Sequence, residues 1–277
     1  MNYRHIFHAG NICDVVKHAV LTLLVDSLRG KPKGFAVLDT HAGIGLYDLE
    51  DAQAQKTGEA VSGIQRLLAA APLPELAAYY GALRAMNPDG GLRFYPGSPL
   101  LIRQMLRPQD RLIACELHPE DARTLKRRFY HDKQVQTHQR DGYEALAALW
   151  PPAEKRGLIL IDPPFETPDE FRRIEAASLL LLQRWPAAQA AIWYPIKERP
   201  ALWRFHEAMA ALPVPEILCA EFIYQEESRH DRLNGCGLII INPPWALDKK
   251  LAALFPALHQ ALQTEHRGSV VKGLRGG

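Results

Sequence analysis

The chain has 277 residues, of which 47% are hydrophobic and 23% are charged, values that are ordinary for a globular enzyme with one large α/β domain or two small ones. No apolar run approaches the roughly 18 residues of a membrane span, and the first residues lack the layout of a signal peptide. The net charge of +2 does not by itself indicate a nucleic-acid partner, and four widely spaced cysteines indicate reduced thiols in the cytoplasm rather than a disulfide framework.

Strand and helix patterns alternate along most of the chain. An apolar helix is predicted over residues 14–29, because Gly30 and Pro32 then end it. Strands are predicted over residues 35–39, 111–116, 135–139, 158–162, 190–194, 217–224 and 237–242. The alternation indicates an α/β fold with a seven-stranded, mostly parallel sheet. The last two strands are joined by a polar segment too short for a helix, so we expect an antiparallel C-terminal hairpin.

About seventy residues separate the first two strands, where a single helix would suffice. Ala- and Leu-rich helical patterns fill much of this stretch, which predicts an inserted helical subdomain over about residues 50–92. We expect residues 1–265 to form a single domain, in which residues 1–30 are a helical lid over the site. The tail, residues 266–277, is rich in Gly, Arg, Lys and Ser and is predicted to be disordered.

A glycine-containing turn follows the first strand. Gly43 and Gly45 would let the backbone approach a ligand closely, although an ordinary tight turn is the alternative. Glu116 ends the second strand, where a carboxylate can accept hydrogen bonds from both hydroxyls of a ribose. The inserted helices explain why Glu116 is further from the glycines in sequence than is usual. Its alternative role is to cap the next helix.

Two further polar positions are predicted at the same edge of the sheet. Ser98 opens a helix whose free N–H groups suit a carboxylate ligand. Asp141 and Gly142 follow the third strand, where a carboxylate could accept a hydrogen bond from an adenine amine. Each of these positions could equally be a plain helix cap.

The segment Asp162-Pro163-Pro164-Phe165 follows a strongly apolar strand. Prolines cannot continue a ladder, so the backbone turns away and leaves carbonyl groups unpaired. The Asp162 carboxylate and the Pro163 carbonyl could then hold the two hydrogens of an exocyclic amine, while Phe165 stacks on the base. This pattern predicts methyl transfer to a nucleobase amine; a structural Pro-Pro turn is the alternative.

A second match, Asn242-Pro243-Pro244-Trp245, occurs near the end of the chain. Ligands of open α/β sheets bind at the carboxyl ends of the parallel strands. If the last strand is antiparallel, Asn242 emerges at the opposite edge. We therefore predict that this second motif is structural.

Two charged or polar clusters leave alternatives open. His5, His8, Cys13 and His18 match no known zinc spacing, so no metal is expected, and this segment is interpreted as the lid, with packed polar groups as the alternative. Five cations lie on one short helical stretch, and either a solvated helix face or a phosphate-contacting patch explains them. They are Arg123, Lys126, Arg127, Arg128 and Lys133.

A series of motifs occurs in order along nearly the whole chain, and together they closely resemble the RlmJ family of bacterial ribosomal RNA adenine-N6 methyltransferases. These motifs are YRHxFHAGNxxDVxKH, DTHAGxG, PGSP, ELHP, the DG pair, LILIDPPF, WYP and NPPW. The resemblance implies a Rossmann-like class I methyltransferase fold, S-adenosylmethionine as the cofactor, and free or partly assembled 23S rRNA as the partner of a monomeric, cytoplasmic enzyme. One departure is Phe165, where the family often has Tyr, and stacking survives that change.

The resemblance also assigns roles to residues of this chain. Asp162 is expected to be catalytic and Tyr3 to contact the substrate. Beside these, Pro163 and Phe165 are expected to assist Asp162, and Arg4 and Lys17, in the lid segment, are expected to contact the RNA. The expected cofactor contacts are His18, His41, Gly43, Ser98, Glu116, Asp141, Gly142 and Asp162. A DNA adenine methyltransferase is disfavoured because no DNA-reading module is evident, and a dehydrogenase or a non-catalytic binding module would not need the Asp162 motif.

Overall fold

Eight strands form one sheet at the centre of the protein, in the order β10-β8-β9-β7-β6-β1-β4-β5. The computed structural model describes residues 5–197, 199–226 and 232–275. The strands of this sheet are β1 (Ala36–Asp39), β4 (Arg111–Glu116), β5 (Val135–Gln139), β6 (Gly157–Ile161), β7 (Gln189–Ile196), β8 (Ile217–Ile223), β9 (Gly235–Ile241) and β10 (Gly268–Arg275). Two short strands, β2 (Leu46–Asp48) and β3 (Phe94–Pro96), pair separately.

The sheet has the predicted mixture of strand directions. Strands β5, β4, β1, β6 and β7 are parallel, and β8 and β9 form an antiparallel hairpin in which β9 also pairs with β7. All seven predicted strands are present, within about two residues of the predicted bounds at each end. This arrangement confirms the Rossmann-like α/β fold.

The prediction of a disordered tail is wrong for residues 268–275. They form β10, which pairs antiparallel with β8 and makes the sheet eight-stranded instead of seven-stranded. Val270 and Leu274 pack against the core, while Lys272, Gly273 and Arg275 are exposed. An edge strand with one wet face can have a polar composition, which is why the sequence pattern did not reveal it.

Helices cover both faces of the sheet and bury an apolar layer on each side. One face carries α1 (Ile12–Arg29), α5 (Ser98–Met105), α6 (Pro119–Arg128) and α10 (Leu247–Leu262), and the other carries α7 (Gly142–Leu149), α8 (Glu170–Arg184) and α9 (Arg199–Ala210). Strand residues alternate between the two layers: Leu158 and Leu160 face the first, and Ile159 and Ile161 face the second. None of the helices in the described part is both long enough and apolar enough to cross a membrane.

The predicted insertion is helical and packs against the N-terminal segment. Its helices are α2 (Ala52–Thr57), a π-helical turn (Val61–Gln65) continuing into α3 (Arg66–Ala69), a 3-10 turn (Pro74–Leu76) and α4 (Ala77–Met86). The contact is so close that a Cβ atom at Gly63 would lie 2.1 Å from the Gly10 carbonyl oxygen. The amide of Ile64 donates to that same oxygen at 2.8 Å. The insertion therefore fixes the turn that leads into α1.

Candidate active site

A cavity of about 380 Å³ opens at the carboxyl ends of the parallel strands, where ligands of such sheets bind. Its walls come from the N-terminal segment, the loop after β1, the ends of β4, β6 and β7, and the first turns of α5, α7 and α8. Ten of the predicted site residues line it: Lys17, His41, Gly43, Ser98, Glu116, Asp141, Gly142, Asp162, Pro163 and Phe165.

Glu116 is held in place by the glycine loop. Its Oε2 atom accepts from the Gly43 amide and its Oε1 atom accepts from the His118 amide, both at 2.8 Å. Burial raises the pKa of Glu116, and these two amide donors partly offset that effect. Gly43 has φ +60, and a Cβ there would lie 2.3 Å from the Tyr47 hydroxyl oxygen, so this position favours glycine. Each carboxylate oxygen keeps a lone pair for a diol hydroxyl.

Ser98 lies at the start of α5, beside a fully buried carboxyl group. Its hydroxyl donates to Oδ2 of Asp39 at 2.7 Å, so it is already committed within the protein. Burial raises the pKa of Asp39 to about 7, with the Ser98 hydrogen bond acting in the opposite direction. The free backbone N–H groups of this helix turn thus remain the donors available to a ligand.

His41 presents one ring nitrogen to the cavity. The Thr40 hydroxyl donates its only hydrogen to the Leu160 carbonyl at 2.8 Å, and lies 2.8 Å from Nδ1 of His41. Nδ1 must therefore carry the hydrogen that Thr40 accepts, which leaves Nε2 as an acceptor. Burial lowers the pKa of His41 to about 4, so the ring is neutral at pH 7.

Asp141 has the geometry of a helix cap, the alternative that its sequence left open. Its Oδ1 atom accepts from the Tyr143 amide at 2.8 Å at the start of α7. Its Oδ2 atom accepts from Arg173 at 2.9 Å, and the Arg173 guanidinium lies 4.4 Å from the centre of the Tyr143 ring. The side chain still lines the cavity, next to Gly142.

Asp162 follows β6 and is paired with a buried cation. The Lys17 ammonium lies 2.5 Å from Oδ2 of Asp162 and 2.8 Å from Oδ1 of Asp14, and His5 bonds the other oxygen of Asp14 at 2.8 Å. Burial alone would lower the pKa of Lys17, but the two carboxylates outweigh it and hold that pKa well above its usual value. A chain of charges thus leads from the N-terminal segment to Asp162.

An aromatic wall stands beside Asp162. The Phe165 ring lies 5.9 Å from Trp193 and 5.1 Å from Phe171, both edge to face. Phe165 has φ +51, a left-handed conformation that turns the chain sharply after β6. No described residue donates a hydrogen bond to the Pro163 carbonyl, so that oxygen is free to accept. An acceptor pair and a flat apolar surface therefore meet at one point of the cavity.

The family model described as "Ribosomal RNA large subunit methyltransferase D, RlmJ" matches residues 32–273. The chain belongs to this family. It is 40% identical to ribosomal RNA large subunit methyltransferase J of Escherichia coli, over 95% of this chain and 94% of that protein. It is 39% identical to the protein of the same name from Haemophilus influenzae, over 97% and 96% of the two chains.

A solved structure is similar over nearly the whole chain. Protein LPL1258 of Legionella pneumophila superposes with a TM-score of 0.88 at 32% identity, covering 96% of this chain and 98% of that one. As a member of the RlmJ family, the protein is a methyltransferase, and its methyl donor is S-adenosylmethionine.

One residue assigned by resemblance to the RlmJ family, His18, is not at the cavity. His18 is fully buried, does not line the cavity, and bonds the Tyr95 hydroxyl through Nδ1 at 2.8 Å. Burial lowers its pKa to about 3, so it is neutral. Tyr3 and Arg4 lie outside the described residues. Lys17, expected to contact RNA, is 4% exposed and instead binds Asp14 and Asp162.

The four residues considered for a metal do not converge. His5 bonds Asp14, His8 bonds Glu59 and His18 bonds Tyr95, so three histidines have three separate partners. A different group, His206, Cys219 and Glu221, does bring its ligand atoms within 4.8 Å of one another. The Tyr194 hydroxyl lies between them, 3.0 Å from Glu221 and from His206. This arrangement satisfies a buried tyrosine.

The second Pro-Pro motif lies at the opposite edge of the sheet, as predicted. Ile241 at the end of β9 pairs with Ala190 at the beginning of β7, so Asn242 is remote from Asp162. The Asn242 side chain donates to the carbonyl groups of Pro186 and Ala188 at 3.0 and 2.8 Å. The side-chain amide of Asn242 therefore stabilises the turn before β7.

Residues that the sequence interpretation missed include Arg173, Glu170 and Trp193, all of which line the cavity. Trp193 could have been found, because β7 runs parallel to β6 and Ile192 pairs with Ile161, which places Trp193 beside Asp162. Arg173 gave no such signal, since its role depends on how α8 packs against α7.

Proposed function

We propose that this protein transfers a methyl group from S-adenosylmethionine to the N6 atom of one adenine in 23S rRNA. The observation that carries the proposal is the position of Asp162, which follows β6 and lies in the cavity between the Glu116 side and the aromatic wall. The names of the relatives support the rRNA substrate, since both are ribosomal RNA large subunit methyltransferases.

The cavity residues fit the cofactor. Glu116 keeps a lone pair on each oxygen for the two ribose hydroxyls, and the N–H groups at the start of α5 suit the carboxylate of the methionine part. His41 offers the neutral acceptor Nε2 to a donor group. When bound, S-adenosylmethionine supplies an electrophilic methyl group on a sulfonium.

The other side of the cavity suits a flipped adenine. Phe165 offers a face on which the base can stack. The carboxylate of Asp162 and the carbonyl of Pro163 accept the two hydrogens of the amine, which orients its lone pair for attack. The nitrogen becomes acidic only as the methyl group transfers, so Asp162 does not need to be a strong base and proton loss can follow.

A base that must reach this site has to leave its stack, so we propose that the substrate is free or partly assembled rRNA in the cytoplasm. We also propose that the protein acts as a monomer. His5, His8 and Asn11 line the cavity, and their positions support the proposal that residues 1–30 cover the site.

The test is methyl transfer to 23S rRNA isolated from cells that lack this protein. With labelled S-adenosylmethionine, the wild type should label one adenine as N6-methyladenine, located by mass spectrometry. Asp162→Asn should abolish labelling while cofactor binding, measured by calorimetry, persists. Label at another atom, in another RNA, or undiminished in Asp162→Asn would contradict the proposal.

A further inference from the structure

One face of α6 is strongly basic and is used by nothing described so far. Arg123, Lys126, Arg127 and Tyr130 have the spacing i, i+3, i+4 and i+7, so they project from the same side of the helix and its first residues beyond. All four are exposed, Tyr130 by 72%. The opposite side, with Ala122, Leu125 and Phe129, is buried. These four exposed residues are called the α6 face below.

Helix stability does not account for this face. Cations in the last turn do favour the helix dipole, which explains Lys126 and Arg127 in part. Arg123, however, repels both at i+3 and i+4, and no described carboxylate lies within ion-pair distance of these three cations. Tyr130 adds nothing to the dipole, and its ring gains little from burial.

A shallow cleft continues the basic surface. It is lined by Arg103, Arg127, Arg128, His131, Asp132, Lys133 and Gln134. The one acidic residue among them, Asp132, is already paired with Arg103. Clustered cations interleaved with an exposed aromatic ring are the combination that binds a nucleic-acid backbone and stacks an unpaired base.

The α6 face is connected directly to the cofactor side of the cavity. His118 and Asp121, at the start of α6, line the cavity, and a helix of ten residues extends about 15 Å. At its other end, Arg128 donates to the Ile44 carbonyl at 3.1 Å, in the loop that also holds Glu116. A strand of RNA with one base in the cavity can therefore reach the α6 face.

We propose that the α6 face binds the phosphate backbone of the substrate RNA next to the target adenine, with an unpaired base stacked on Tyr130. The proposal rests on the proposed function, because it takes rRNA to be the substrate. It assigns affinity for RNA to a surface that does not touch the reacting atoms. The face therefore contributes to KM for RNA and not to the rate of the chemical step.

The first test replaces Arg123, Lys126 and Arg127 together by Gln. Binding of a 23S rRNA transcript is measured over a range of salt concentrations, alongside methylation kinetics. We expect the negative slope of log K (K being the association constant) against log salt to become less steep by about two to three. KM for the transcript should rise about tenfold. kcat at saturating RNA and cofactor affinity should stay within about twofold. The matched control, with Arg184, Lys249 and Lys250 replaced by Gln, removes three exposed cations at the opposite edge.

The second test concerns stacking. Tyr130→Ala should weaken transcript binding about fivefold or more, and Tyr130→Phe should restore it. The inference is overturned if the triple variant keeps the wild-type salt slope and KM, or if the control variant loses as much RNA affinity as the triple variant. Either outcome is compatible with methylation of 23S rRNA by the wild type. Failure of the wild type to methylate 23S rRNA would instead defeat the proposed function, and the binding measurements would still decide the role of the α6 face.

Discussion

The ammonium nitrogen of Lys17 lies 2.5 Å from Oδ2 of Asp162, although 145 residues separate them in sequence. Asp14 bonds the same ammonium at 2.8 Å. One buried cation is therefore shared by two carboxylates, and it ties α1 to the end of β6. This contact makes the N-terminal helix part of the cavity edge of the sheet.

Removing this cation should impair both activity and folding. In Lys17→Met, Asp14 and Asp162 lose their shared partner, which leaves uncompensated charge in the protein interior. We expect the free energy of unfolding to fall by about 3–5 kcal/mol and kcat to fall at least about tenfold. Lys17→Arg, which keeps the charge, should recover part of both. Urea unfolding and methylation assays check this; a Met variant with wild-type kcat would show that the ion pair has no role in the reaction.

Phe165 should tolerate only an aromatic substitution. Its ring packs against Trp193 and Phe171, and under the proposed function it offers the stacking surface for the base. Phe165→Ala should raise KM for RNA about tenfold, the usual order for loss of one stacked base, whereas Phe165→Tyr should change it less than twofold. Steady-state kinetics on 23S rRNA measure both. Equal losses in the two variants would indicate that the backbone turn matters more than the ring.

Asp39 should make stability depend on pH. Burial raises its pKa to about 7, above the roughly 4 of an unfolded aspartate. The folded protein then binds more protons than the unfolded chain between these values, so the free energy of unfolding contributed by Asp39 is fully present below pH 4 and is lost as pH rises to 7, by up to about 4 kcal/mol.

The variant Asp39→Asn isolates this effect from the other titrating groups. The difference in unfolding free energy between wild type and variant, measured by denaturation at pH 5 and at pH 8, should shift in favour of the variant at the higher pH. An identical difference at both pH values would mean that the Asp39 carboxyl is ionised in the folded protein throughout.

Asn242 should matter for stability but not for the reaction. Its side chain bonds the carbonyl groups of Pro186 and Ala188, and its φ of +49 favours Asn over Ala. Asn242→Ala should lower the free energy of unfolding by about 2–3 kcal/mol while kcat per folded molecule is unchanged. Thermal melts and kinetics below the melting temperature separate the two. A loss of kcat like that of Asp162→Asn would contradict the structural role.

The sequence predicted much of the fold because apolar runs and turn residues report directly on buried strands. Strand direction also separated the two Pro-Pro motifs correctly, since Asn242 does lie at the far edge. It was harder to predict which of two adjacent helix residues faces the site. Lys17 and His18 differ by about 100° around α1, so only Lys17 faces the cavity. Pairing that depends on helix packing, such as that of Arg173 with Asp141, has no local signal.

Strand β10 has a practical consequence for anyone who shortens this protein. Every residue of β8 is buried, and β10 occupies its outer hydrogen-bonding edge. Trimming the chain at residue 266 would expose the outer edge of the seven-residue strand β8, where the backbone groups of alternate residues would lose their hydrogen-bond partners beside apolar side chains. Such an edge is a template for joining molecules to one another, so the trimmed protein would gain a tendency to aggregate instead of losing a loose end.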